Sequence, residues 1–209
     1  MIIIAIEGID GSGKTTQANM LVKKLNDAHI DAEYMKTIYI TLNILPFFNK
    51  YETILSPRKD KVSEISEKRV FRLSKIFKKF FGYLYALTTY IIIKIRYKNR
   101  IAVCDRYFYQ FFYDLFGEKS KIILKILPKP DYTFFLNGNL ETFCSRMDDS
   151  FDVTVPIAYY EKILRFYQDL SKEYNFIQLD ASESKTELNK KIYNNLIKLE
   201  GFDEQIRIT

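Results

Sequence analysis

Residues 2–16, IIIAIEGIDGSGKTT, constrain this chain more than any other stretch. The run Ile2, Ile3, Ile4, Ala5, Ile6 carries no polar residue, as a parallel strand covered on both faces requires. It empties into a turn of the form G-x-x-x-x-G-K-T, closed by Lys14, Thr15 and Thr16. Gly8, Gly11 and Gly13, with Ser12 between them, let the backbone curl so that successive N–H groups point inward, as an anion cradle for α- and β-phosphates needs. Lys14 is spaced to reach the β- and γ-phosphates, and the Thr15 hydroxyl to ligate Mg²⁺. Ala18, Leu21, Val22 and Leu25 recur at helical spacing behind the turn, so a helix N-terminus aims its dipole at the same phosphates.

A chain of 209 residues fits one domain with a full core, and we expect residues 1–209 to form one. Cys104 and Cys144 are far apart without metal-ligand spacing, which fits a reducing cytoplasm. The N-terminus has no basic stretch ahead of its apolar run and does not read as a secretion signal. The longest uncharged run, residues 80–93, is shorter than the ~20 residues a membrane span needs and is expected as a buried helix. His29, the single histidine, has no partner of metal-binding type nearby in the sequence and reads as a surface residue. The net charge of +6 is concentrated in residues 50–79, where ten Lys and Arg outnumber four acids. This segment reads as the solvated face of an amphipathic helix, with a polyanionic partner as the alternative.

Along the chain, short apolar runs at 33–37, 101–104, 132–136 and 176–179 follow the first strand, with helical patterns between them. Residues 38–60 lack periodicity and are expected as loop. Residues 62–96 are expected as two helices or one bent near Gly82. Pro156 suits the start of a helix, and Ser184 with Glu187 forms a capping box for the last one. Alternating strands and helices imply an α/β fold, a five-stranded parallel sheet with helices on both faces. The third strand ends in Asp105 and Arg106, where such sheets build their sites. A phosphoryl-transfer site needs cations around the moving group and a carboxylate for the metal or the acceptor.

The segments IEGIDGSGKTTQ, CDRY at 104–107, PDYTFFLN at 130–137 and LDAS at 179–182, in this order and spacing, resemble the thymidylate kinase family. The resemblance implies a three-layer P-loop kinase fold, ATP and Mg²⁺ as cosubstrate and cofactor, and transfer of a phosphoryl group to dTMP. It implies that Asp10 meets the deoxyribose 3′-hydroxyl, that Arg106 holds the acceptor phosphate, and that Asp105 sits beside Mg²⁺ and the phosphates. Asp180, Ala181 and Ser182 match the loop near the adenine ring. Arg146 opens the lid expected at 145–156, where the family supplies an arginine to the transferring group.

The acceptor side departs from the family pattern. YMKTIYI at 34–40 replaces an arginine segment and leaves Lys36 as the nearest cation. The helix around residues 83–89 lacks the family's arginine, leaving Phe80, Phe81 or Tyr85 to stack on the acceptor base. Gly11 stands where one class of the family has an arginine, so the lid must provide the cation, and Arg146 is its one basic residue. Two alternatives remain at this stage: a deoxynucleoside kinase on the same scaffold, and a nucleotide-dependent switch or nucleic-acid-binding NTPase. The leading reading implies small-molecule partners, no membrane, no nucleic acid, and a homodimer as an open expectation.

Overall fold

The computed structural model describes residues 1–37, 70–147 and 156–199, and the side chains of 70–79 and 81 are outside the description. Most of the expected lid, the loop at 38–60 and the greater part of the basic segment therefore lie outside the described residues. Five strands form one parallel sheet: β1 Ile2–Glu7, β2 Ala32–Met35, β3 Ile101–Asp105, β4 Tyr132–Asn137 and β5 Ile177–Asp180, in the order β2-β3-β1-β4-β5. All six residues of β1 and all five of β3 are buried, so their apolar runs are those of strands covered on both faces. The helices are α1 Lys14–Asp27, α2 Val70–Arg96, α3 Tyr109–Phe116, α4 Ser120–Leu124, α5 Leu140–Ser145, α6 Ile157–Glu173 and α7 Lys185–Lys198.

Local signals explain where helices begin and end. Asn139 and Ser184 cap α5 and α7, accepting from the N–H groups of Glu141 and Glu187. Pro156 stands immediately before α6. His29 follows α1 exposed and in the left-handed region, at φ 61°. Gly82 does not end the long helix: α2 runs through it, and a Cβ there would meet Leu115 Cδ1 of α3 at 2.5 Å.

The described chain falls into two compact units. The first comprises Met1–Lys36, Arg96–Tyr107 and Lys129–Thr209 and holds the whole sheet; the second comprises Thr37–Ile95 and Phe108–Pro128. In the second unit Tyr85 packs on Phe111, which meets Phe112 edge-on, and Phe112 stacks on Phe116. The expectation that residues 80–93 form a buried helix needs correction. Tyr85, Ala86 and Ile93 are buried, whereas Phe80, Leu84, Ile91 and Ile95 are exposed. The spacing of the latter four puts them on one stripe, so the run serves an inward face and leaves an apolar outward one.

Sheet register sets up the site. β1 and β3 pair with Ile6 opposite Asp105, β1 and β4 with Glu7 opposite Phe135, and β4 and β5 with Asn137 opposite Asp180. The carboxyl ends of four strands therefore lie side by side, with β1 central and its neighbours reached by crossovers in opposite directions, as a ligand crevice in an open parallel sheet requires.

Candidate active site

The turn between β1 and α1 is shaped by its glycines. Gly11 and Gly13 adopt φ of 78° and 89°, in the left-handed region. A Cβ on Gly11 would stand 2.2 Å from the carbonyl oxygen of Phe143, because α5 closes over the loop there. An arginine at this position has no room, which gives a physical reason for the departure noted in the sequence. The Ser12 N–H donates to Ile9 O, and the Ser12 hydroxyl is buried with no hydrogen-bond partner. Lys14 folds back over the loop and donates to Ile9 O at 2.5 Å. Burial pulls its ammonium down to about 7, helped by the charge of Arg106 and opposed by Asp10, Asp105 and Glu7. A buried hydroxyl without a partner among the described residues and a buried ammonium that donates to a carbonyl are groups that an anion in the turn would satisfy.

Beside the loop, β3 delivers Asp105 and Arg106. Thr15 Oγ1 donates to Asp105 Oδ2 at 2.6 Å, and the Tyr34 hydroxyl from β2 donates to the same oxygen at 2.9 Å. Burial and then the Asp105 charge hold the Tyr34 phenol above its ordinary range, so it remains a donor. Asp10 and Arg106, 96 residues apart, form an ion pair between Oδ1 and Nη2. Burial opposes the charge on Arg106, but Asp10 first, then Tyr167 and Asp105, hold it above the ordinary guanidinium value. Its Nε is buried without a hydrogen-bond partner among the described residues. Its backbone is left-handed, φ 63°, with the N–H donating to Ile6 O.

On the far side of the loop, β5 leads into Asp180, Ala181 and Ser182. Ala181 N–H donates to Asn137 O, and Ser182 N–H donates to Asp180 Oδ1 at 2.8 Å, which lowers the Asp180 carboxyl. Arg146, expected to serve the transferring group, donates from Nη1 to Ala181 O at 2.9 Å. Its position at the end of α5 faces it toward the loop after β5 rather than leaving it unengaged. Gln17 of α1 donates to Lys185 O, and Asn189 of α7 donates to Gln17 O and Oε1, so a buried amide pair ties the phosphate-loop helix to the helix that follows this loop.

Thr15 and Asp105 are the residues present that suit Mg²⁺. Two hard oxygens beside a phosphate cradle fit a cation that takes most of its ligands from phosphates and water. Among the described residues no group of three or more His, Cys, Asp or Glu gathers elsewhere.

The first unit thus brings together Gly8, Asp10, Gly11, Ser12, Gly13, Lys14, Thr15, Thr16, Asp105 and Arg106, with Asp180, Ala181, Ser182 and Arg146 on its other side. Lys36 follows β2 in the same unit and is exposed. Phe80 and Tyr85 belong to the second unit. Phe80 is 63% exposed, and Tyr85 is buried against Phe111. Phe81 has no described side chain. Sequence reasoning overlooked Tyr34, Gln17, Asn189 and Glu7. The last carried a signal: a charged residue ending an otherwise apolar strand.

Comparisons with known proteins bear on this geometry. A family model described as thymidylate kinase matches residues 6–38, which span the phosphate loop, α1 and β2. A probable thymidylate kinase of Methanocaldococcus jannaschii is 30% identical over 202 residues, covering 93% of each chain. A probable thymidylate kinase 1 of Saccharolobus solfataricus is 31% identical over 193 residues, covering 89% of this chain and 92% of the relative. Among solved structures, a deoxyadenosine kinase from M. mycoides, determined with the products dCMP and a flexible dCDP bound, superposes with a TM-score of 0.58. It is 20% identical and covers 95% of this chain and 100% of its own, a likeness of fold. Relatives matched over about nine-tenths of their length at this identity, on a chain whose phosphate loop, Asp105–Arg106 turn and parallel sheet are arranged as described, lead to one statement: this chain belongs to the thymidylate kinase family.

Proposed function

We propose that the chain transfers the γ-phosphoryl group of ATP to dTMP, with Mg²⁺ held beside Thr15 and Asp105. The observation that carries the acceptor assignment is the state of Arg106. Its Nη2 is engaged by Asp10 while its Nε is buried and, among the described residues, unbonded. An unsatisfied buried N–H of this kind costs roughly 1–3 kcal/mol, a cost that a phosphate oxygen on the acceptor removes. Asp10, the other member of the pair, is an acceptor for a sugar hydroxyl. A deoxynucleoside monophosphate offers both partners at once.

In this reading the chain's own groups act chiefly by position and charge, as phosphoryl transfer demands. The N–H groups of the glycine loop and the dipole of α1 hold the donor phosphates. Lys14 exchanges the Ile9 carbonyl for phosphate oxygens and regains its full charge there. Thr15 and Asp105 would hold Mg²⁺, which would supply charge neutralisation to the donor phosphates. Arg106 fixes the acceptor phosphate in line, and Asp180, Ala181 and Ser182 flank the donor base with Arg146 bracing their loop. Lys36 adds a point charge on the acceptor side. Tyr85 is committed to packing on Phe111 and is withdrawn as a stacking partner for the acceptor base. The reading takes residues 1–209 as one kinase domain and includes a homodimer over the exposed stripe of Phe80, Leu84, Ile91 and Ile95.

Arg106→Ala tests the assignment. Acceptor KM should rise or kcat fall by at least tenfold while ATP affinity stays within about threefold. ATP binding weakened as strongly as acceptor turnover would move Arg106 to the donor side.

A further inference from the structure

We propose that Glu7 is a positioning residue that sets Arg106 by fixing the backbone turn that carries it. Arg106 bears a β-carbon and yet sits at φ 63°, a conformation that persists only where surrounding contacts over-determine it. Two hydrogen bonds do so. The Arg106 N–H donates to Ile6 O at 3.1 Å, and the N–H of the next residue, Tyr107, donates to Glu7 Oε1 at 2.5 Å. The second bond is a side-chain contact across 100 residues, made by a carboxylate that is 0% exposed.

Glu7 is itself held. It ends β1 opposite Phe135, and its Oε2 accepts the Tyr167 hydroxyl of α6 at 2.8 Å. Tyr167 is fully buried and stacks on Phe135 with ring centroids 5.5 Å apart. Both carboxylate oxygens are therefore committed to donors on different elements, the turn after β3 and the helix α6. An apolar side chain would fill the same space with no desolvation cost, so a buried carboxylate here has its use in what it holds. Being fully buried, Glu7 reaches no substrate; it acts through the turn. Each of these residues lies in the first unit.

The inference rests on the reading that Arg106 holds the acceptor phosphate, and the test separates the two. Glu7→Met removes both acceptors at similar length, Glu7→Gln keeps a carbonyl for Tyr107, and Tyr167→Phe removes the hydroxyl that donates to Glu7 Oε2. Acceptor kinetics with dTMP, ATP affinity and the Arg106 Nε–H signal in ¹⁵N-arginine-labelled protein are measured for each, and for Glu7→Met combined with Arg106→Ala. Glu7→Met should cost acceptor kcat/KM about as much as Arg106→Ala, leave ATP affinity within threefold, and add less than threefold to Arg106→Ala. Glu7→Gln should recover most of the loss. The Arg106 signal should shift in Glu7→Met but not in Ile192→Val, a core change in α7. Additive losses in the double variant, or an Arg106 signal unmoved by Glu7→Met, would overturn the inference. If Glu7→Met does not fold, the same signal and the same double-variant comparison read in Glu7→Leu, which also removes both acceptors, decide by the same criterion. A wild-type protein inactive on dTMP would sink the acceptor reading instead, with the Arg106 signal still judging Glu7.

Discussion

Gly11→Ala, set against Gly13→Ala, separates backbone strain from steric exclusion in the phosphate loop. Both glycines are left-handed, at 78° and 89°, so either alanine incurs roughly 1–2 kcal/mol of conformational strain. Their surroundings differ. A Cβ at Gly13 meets nothing within 4 Å, whereas at Gly11 it comes 2.2 Å from the Phe143 carbonyl oxygen, roughly 1 Å inside any ordinary contact. The obstacle is backbone at the end of a short helix, so relief requires α5 or the loop to move. Such overpacking costs a further ~1–3 kcal/mol. Gly11→Ala should therefore destabilise by about 2–5 kcal/mol and Gly13→Ala by about 1–2, a difference that urea unfolding resolves. Because the displaced loop is the cradle, calorimetric titration with ATP should also show at least a tenfold weaker affinity for Gly11→Ala than for Gly13→Ala. Equal stabilities and equal ATP affinities in the two variants would refute the view that α5 closes against the loop.

Two further outcomes follow from the site's electrostatics and contacts. Burial pushes the Glu7 acid from 4.5 up to about 7, ahead of the opposing bonds from Tyr107 and Tyr167 and the charges of Arg106 and Lys14. Below pH 4.5 both folded and unfolded chains hold the proton and nothing is lost; between 4.5 and 7 only the unfolded chain releases it, so stability falls as pH rises, by about 3 kcal/mol once pH passes 7. Glu7→Gln removes this term, and its stability relative to wild type should climb across that window; a difference constant from pH 4.5 to 7 would contradict it. Arg146→Ala should raise the KM for ATP more than it lowers kcat, because the guanidinium is spent on Ala181 O. A kcat loss on the order of 10³ with ATP affinity intact would restore its role as a finger on the transferring group.

Much of the fold was legible because its signals are local. The apolar runs of β1 and β3, the glycine loop, and the capping residue Ser184 each act within a few positions and reappear in the structure. What the sequence hid depends on pairings between distant residues. Tyr34 reaches Asp105 across 71 positions and Tyr167 reaches Glu7 across 160, and no periodicity encodes either. The Asp10–Arg106 pair also bears on how a nucleoside is told from a nucleotide. Asp10 already supplies Arg106 with an anion, so discrimination rests on the remaining Nε donor rather than on an uncompensated charge. The outward stripe of α2 was misread for a different reason: an uncharged run reports hydrophobicity, not which side of a helix is covered.

The central claim is that the acceptor is a deoxythymidine monophosphate, and steady-state kinetics with ATP and Mg²⁺ tests it most directly. Acceptors are compared side by side at subsaturating concentration: dTMP, thymidine, deoxycytidine, and purine nucleoside monophosphates. Two complementary contacts, a hydroxyl on Asp10 and a phosphate on Arg106, should put dTMP at least tenfold above thymidine in kcat/KM, and membership of the thymidylate kinase family puts it above the purine nucleotides, which offer the same two groups. A higher kcat/KM for thymidine or deoxycytidine than for dTMP would contradict the account.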